Sequence, residues 1–205
     1  QARYSSKRLR GKVLKKIKNK TVLELVYENV KKAKEIEKVI VATSWHKSDN
    51  KIYDFCKTKN ILCFRGSLKN LAKRYFDCLK KYKSEAFVRI CCDSPFMSEK
   101  IISKCIKSYK SKKFDIVTNL YPRSYPKGQS VEVIKSKLFE KVYRKIEKKI
   151  CEDQFTDYFY KNSKKFKIFN IKNKYNYSNV SLAIDTKKDL IIARKNYSSI
   201  IRKYL

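Results

Sequence analysis

Apolar positions along this chain recur in two rhythms. From Thr21 to Ala33, the residues Leu23, Val26, Tyr27 and Val30 fall at the three- and four-residue spacing of one helix face, and the lysines that follow suit a helix C-terminus. Val39–Thr43 is instead a short unbroken run of strand formers, the pattern of a strand covered on both faces. The two rhythms then alternate. A helix is predicted near Lys51 to Lys59, a strand at Ile61–Phe64, and a helix with Leu71, Tyr75, Cys78 and Leu79 on one face. Next come a strand at Ala86–Ile90, a helix from Ser98 to Tyr109 and a strand at Phe114–Asn119. Val131–Ile134 alternates as a strand should, and Ser136 to Lys149 reads as an amphipathic helix through Leu138, Phe139, Val142 and Ile146. Phe166–Ile171 and Val180–Ile184 read as strands, and Asp185–Leu190 opens a last helix in which Thr186 and Asp189 are spaced for a capping box. Strands interleaved with helices make an α/β chain.

A chain of 205 residues suits one domain with a sizeable core, spanning 1–205. Its formal charge of +33 raises the prospect of a polyanionic partner, either nucleic acid or an anionic membrane. The distribution argues otherwise, because lysines are scattered over nearly every segment and gather in no single tail or helix face. The seven cysteines (Cys56, Cys63, Cys78, Cys91, Cys92, Cys105 and Cys151) are odd in number and contain no C-x-x-C pair. They read as thiols of a reducing cytoplasm, not as a zinc site or a disulfide framework. No apolar run reaches membrane-spanning length and no signal peptide is visible, so the expected location is the cytoplasm. His46, the only histidine, has no Cys or Ser–Asp partner near it in sequence and reads as a loop residue.

Candidate chemistry begins at the first residues. Arg3, Lys7, Arg8, Arg10 and Lys12 are interleaved with Ser5, Ser6 and Gly11, and no carboxylate precedes Glu24. Cations, hydroxyl donors and a permissive backbone together make a phosphate trap. A solvated basic arm would have the same composition. Asp93 lies just beyond the strand Ala86–Ile90, the edge of an open α/β sheet where ligands bind, although Asp93-Ser94-Pro95 also has the makings of a turn or helix cap. The capping box accounts for Thr186 and Asp189 and leaves Asp185 unexplained. Arg65, closing the strand Ile61–Phe64, is either a site cation or a surface turn. Glu132 is either a site residue or the solvent-facing member of a Val-Glu-Val strand.

The order of the opening residues is more specific than their composition. Gln1-Ala2-Arg3, two serines, a basic residue and then Arg8-Leu9-Arg10-Gly11-Lys12 resembles the signature loop of the CTP-dependent cytidylyltransferases that activate 3-deoxy-manno-octulosonate and acylneuraminates. The branch it resembles most is that of spore-coat polysaccharide biosynthesis. Arg65-Gly66-Ser67, Asp93, the segment Tyr125–Ile134 and Asp185-Thr186-Lys187-Lys188-Asp189-Leu190 continue the likeness in order. It implies a Rossmann-like, mostly parallel sheet sandwiched by helices. In that family a first strand precedes the loop; none precedes Gln1, so this strand is expected to be missing. The resemblance also implies that residues 120–180 leave the main sheet as an acceptor and dimerisation subregion of a homodimer.

For the site, the resemblance implies that Asp93 and Asp185 share a Mg2+ ion. Arg3, Ser6, Arg8, Gly11 and Lys12 would hold the triphosphate, with Arg8 and Lys12 acting in catalysis, and Arg65 would hold the nucleoside. Tyr125, Lys127, Glu132 and Gln154 would meet the acceptor. The implied reaction joins CMP from CTP to an acidic sugar or related acceptor and releases pyrophosphate. Charge neutralisation and alignment serve such a transfer better than a protein nucleophile. The sequence departs from the family pattern at Arg10 (usually Pro), Cys91 and Cys92 (Gln and Gly), Ser130 (Asp) and Gln154 (His). Two other readings stand beside this one. Another nucleotidyl- or glycosyltransferase of similar fold is the first, although Cys91-Cys92-Asp93 lacks the paired acid of an Asp-x-Asp motif. The second is a basic polyanion-binding protein without catalysis.

Overall fold

A computed structural model describes residues 1–111, 113–146 and 154–204. After the opening loop, β1 (Lys16–Ile17) and β2 (Lys20–Thr21) form a small antiparallel hairpin. Thr21 then caps α1 (Val22–Lys31): its side chain accepts from the Glu24 amide while Glu24 accepts from the Thr21 amide. This capping box fixes where the helix begins. The alternation continues through β3 (Val41–Ser44), α2 (Asn50–Thr58), β4 (Cys63–Gly66), α3 (Leu71–Lys81), β5 (Ala86–Arg89), α4 (Glu99–Ser111) and β6 (Ile116–Thr118). It closes with β7 (Glu132–Lys135), α5 (Ser136–Tyr143), α6 (Asp157–Lys161), β8 (Ile168–Asn170), α7 (Lys187–Lys195) and α8 (Tyr197–Tyr204).

The strands lie in the order β5-β7-β6-β8, beside a parallel pair β3–β4. β6 and β8 are parallel, and only β7 runs against its neighbours. This corrects one expectation. The Val131–Ile134 segment does not leave the main sheet; it enters it, with Val133 opposite both Val88 and Val117. Apolar side chains on successive positions need cover on two faces, and a central lane supplies it. Val180–Ile184, expected as a strand, makes one isolated bridge between Ser181 and Lys127. The end of the helix predicted to Lys149 falls at 147–149, outside the described residues, as does Cys151.

Neighbouring residues of β6 and β7 point to opposite faces, which is why each strand carries two adjacent apolar residues, Ile116-Val117 and Val133-Ile134. Val117 and Val133 pack with Val26 and Val30 of α1 and Ile102 and Cys105 of α4. Ile116 and Ile134 pack on the other side with Leu71 and Tyr75 of α3, Phe139 of α5, Phe155 and Phe159. Helices therefore cover both faces of the sheet.

Among the described residues, the sheet between β3 and β5 is bridged by the first two residues. The Gln1 nitrogen donates to the Ile90 carbonyl (2.8 Å), the Cys92 amide donates to the Gln1 carbonyl (3.0 Å), and the Ala2 amide donates to the Ala42 carbonyl (3.0 Å). Beneath them, a cavity of about 910 Å³ continues the lane between Val39, Val41, Ala86 and Val88. Among the described residues no strand fills it. No helix of the described residues is long and apolar enough to cross a membrane.

Candidate active site

The Gln1–Ala2 bridge decides where the basic loop begins. The loop leaves the sheet at the carboxyl ends of β3 and β5, the edge at which open α/β sheets bind ligands. It is held in shape by Asp49, which is fully buried and accepts from the Tyr4 amide (2.7 Å), the Ser44 amide (3.3 Å) and the Ser44 hydroxyl. The loop closes on itself where the Gly11 amide donates to the Tyr4 carbonyl (2.8 Å). Gly11 has φ 67°, a conformation costly for any residue with a Cβ, and a Cβ there would lie 2.8 Å from the Tyr4 ring. A single helical turn, Lys12–Leu14, follows with Val13 buried, and this turn aims Lys12 inward.

Two distant acidic residues meet that lysine. Lys12 Nζ lies 2.8 Å from Asp93 Oδ2 and 2.8 Å from Asp185 Oδ1, and an Arg8 guanidinium nitrogen lies 2.9 Å from the same Asp185 oxygen. The backbone explains the meeting. The Ile184 amide donates to the Asp93 carbonyl (2.8 Å), so the two acidic segments are stitched together one residue away from the carboxylates. The capping box of α7 aims the second acid: the Asp189 carboxylate accepts from the Asp185 and Thr186 amides at 3.0 and 2.7 Å, and the Thr186 side chain accepts from the Asp189 amide. Burial works against the charge of Lys12, but Asp93 and Asp185 outweigh it and hold the ammonium above the ordinary lysine range.

Arg8, Lys12, Asp93 and Asp185 are thus brought into one cluster. Arg3 is exposed and Ser6 half-buried on the same loop, with Gly11 at its turn. Arg65 is held apart from the acids by other partners. Its Nε donates to the Ser44 carbonyl (3.1 Å), one guanidinium nitrogen donates to Asn50 Oδ1 (2.6 Å), and its plane faces Trp45 and Tyr53 at 4.9 and 5.2 Å. Ser44 and Asp49 connect it to the loop.

The four residues expected on the acceptor side occupy different environments. Tyr125 is buried in the core with Val117 and Val131, Lys127 and Gln154 are exposed, and Glu132 is 1% exposed. The idea of a solvent-facing Glu132 is therefore corrected. Its carboxylate is ion-paired with buried Arg89 and accepts from Tyr160 Oη (2.6 Å), whose oxygen also lies 3.1 Å from Thr118 Oγ1. Burial pushes the Tyr160 phenol up, and the neighbouring Glu132 charge adds to it. Arg89, Tyr160 and Asp49 gave no sequence signal of their own, because each acts through a partner more than twenty residues away or across a loop.

A metal ion fits the donor set. Two carboxylate oxygens converge on one point already occupied by a cationic group, and hard oxygen ligands few in number, supplemented by water and phosphate, are what Mg2+ takes. Among the described residues no cluster of three or more His, Cys, Asp or Glu could form an all-protein cage, so part of the coordination would have to come from elsewhere.

The family model described as cytidylyltransferase matches residues 1–202. An uncharacterised protein of Methanocaldococcus jannaschii is 34% identical over 191 residues, covering 92% of this chain and 77% of that one. The spore coat polysaccharide biosynthesis protein SpsF of Bacillus subtilis is 25% identical over 162 residues, covering 77% of this chain and 65% of that protein. Among solved structures, a cytidylyltransferase from Leptospira borgpetersenii superposes with a TM-score of 0.86 at 27% identity, covering 98% of this chain and 94% of that one.

Proposed function

Because the chain belongs to the cytidylyltransferase family, we propose that it activates an acidic sugar or closely related acceptor with CTP, in the supply of precursors for a polysaccharide or glycan. An acceptor oxygen attacks the α-phosphorus, the bond from that phosphorus to the bridging oxygen breaks, and pyrophosphate leaves. The observation that carries this reading is the convergence of Lys12 on Asp93 and Asp185 with Arg8 alongside. It joins an anion-binding loop to a pair of carboxylates at the ligand-binding edge of the sheet.

In this reading Asp93 and Asp185 hold Mg2+. When bound, the ion would neutralise charge at the reacting phosphate and lower the pKa of the acceptor hydroxyl. Arg3, Arg8 and Lys12 bind the β- and γ-phosphates and neutralise the departing pyrophosphate. Gly11 lets the loop backbone approach the phosphates, and Ser6 donates to the nucleotide. Arg65, pre-oriented by Ser44, Asn50, Trp45 and Tyr53, faces the nucleoside end. Lys127, Glu132 and Gln154 belong to the acceptor side, Glu132 by fixing Arg89 and Tyr160. The active form is a homodimer.

The test is pyrophosphate release with each of the four nucleoside triphosphates, Mg2+ and a panel of acidic sugars. CTP with at least one acidic sugar is expected to turn over well above the rest. Equal turnover of ATP and CTP would overturn the reading. Size-exclusion chromatography with light scattering checks the dimer.

A further inference from the structure

The ammonium of Lys12 and a divalent ion cannot both occupy the point between Asp93 and Asp185. Nζ is 2.8 Å from an oxygen of each, and the lysine side chain is 11% exposed, so its place is a built one. A metal ion arriving on those oxygens would meet a like charge at contact distance. The lysine, however, is mobile in a way the acids are not. Asp93 is tied through its carbonyl to Ile184, and Asp185 through its amide to Asp189. The ammonium rides on a four-carbon stem from the turn Lys12–Leu14, on the same loop as Arg3 and Arg8.

We infer that Lys12 is a tethered placeholder cation. Together with Arg8 it balances the charge of Asp93 and Asp185 while no nucleotide is bound, and it keeps free divalent ions off the pair; it leaves them when a triphosphate draws it away. The metal therefore enters with the nucleotide or after it, and not before. This rests on the reading that Asp93 and Asp185 hold the metal, and it adds an order of binding. Neutral pairing in the empty site also spares the fold two close, uncompensated carboxylates.

The experiment titrates Mn2+ into nucleotide-free protein and reads free Mn2+ by electron paramagnetic resonance. Wild type, Lys12→Met and the double variant Lys12→Met/Asp93→Asn are compared. Lys12→Met is expected to bind one Mn2+ at least about tenfold more tightly than wild type, a modest share of a like-charge repulsion at contact distance, and the double variant to lose that site. Equal affinity in wild type and Lys12→Met, lost on Asp93→Asn, would overturn the placeholder and leave the metal reading standing. Mn2+ bound by neither protein, even with the non-hydrolysable α,β-methylene analogue of CTP present, would remove both. Should Lys12→Met not fold, wild type carries the test through amine acylation of Lys12 followed by mass spectrometry. Lys12 is expected to react more slowly than exposed lysines, at a rate unchanged by Mn2+ alone and changed by Mn2+ with the analogue. A change with Mn2+ alone would overturn the inference.

Discussion

Glu132 shows how much one side chain can be asked to hold. It pairs with Arg89, and both are nearly inaccessible to water, at 1% and 5% exposure. Removing the acid strands a buried guanidinium, and breaking such a pair costs far more than the pair contributes. Glu132→Gln is accordingly expected to lower stability by about 3–5 kcal/mol in urea unfolding. Asp93 is a different case: it lies at the surface of the cluster and its loss creates no buried orphan, so Asp93→Ala is expected to fold while its turnover drops at least about a hundredfold, the scale of a lost transition-state contact. Full activity in that variant would remove Asp93 from the chemistry. Glu132 could not be assigned from sequence because an alternating strand gives a polar residue the same pattern whether it faces water or a buried arginine. Asp93 could, because its place after a strand was legible.

At the scale of elements, two helices begin with the same device and serve different ends. Thr21 with Glu24 starts α1, and Thr186 with Asp189 starts α7. Only the second also positions a site residue, since the Asp189 carboxylate accepts from the Asp185 amide. Thr21→Ala and Thr186→Ala are each expected to cost about 1 kcal/mol. Turnover is expected to fall only for Thr186→Ala, which paired thermal melts and pyrophosphate-release rates would show. An equal loss of activity in both variants would mean that the cap acts only through stability. The spacing Thr-x-x-Asp announced the α7 cap in advance. The strand expected at Val180–Ile184 is reduced to the single bridge between Ser181 and Lys127: apolar residues propose a strand, but its extent depends on how far a neighbouring edge runs beside it.

For the molecule as a whole, the lane between β3 and β5 dominates. Gln1 sits opposite Cys91 in parallel register, which leaves the lane-facing edge of β5 from Ala86 to Arg89 without a neighbouring strand among the described residues. An extension of about five apolar, β-branched residues ahead of Gln1 is expected to pair there and raise Tm by on the order of 5 °C, whereas five lysines are not. No difference between the two extensions would show that the lane does not take a strand. The sequence alone determined the α/β alternation, the helix faces, the cap of α7 and the basic character of the opening loop. These depend on local spacing, which a linear chain displays directly. Only the tertiary structure decided that β7 enters the sheet in reverse, that Glu132 is buried against Arg89, and that Lys12 joins Asp93 to Asp185. Each of those depends on which distant segments share an edge, and hydrogen bonds between backbones, such as Ile184 to Asp93, carry no side-chain signature.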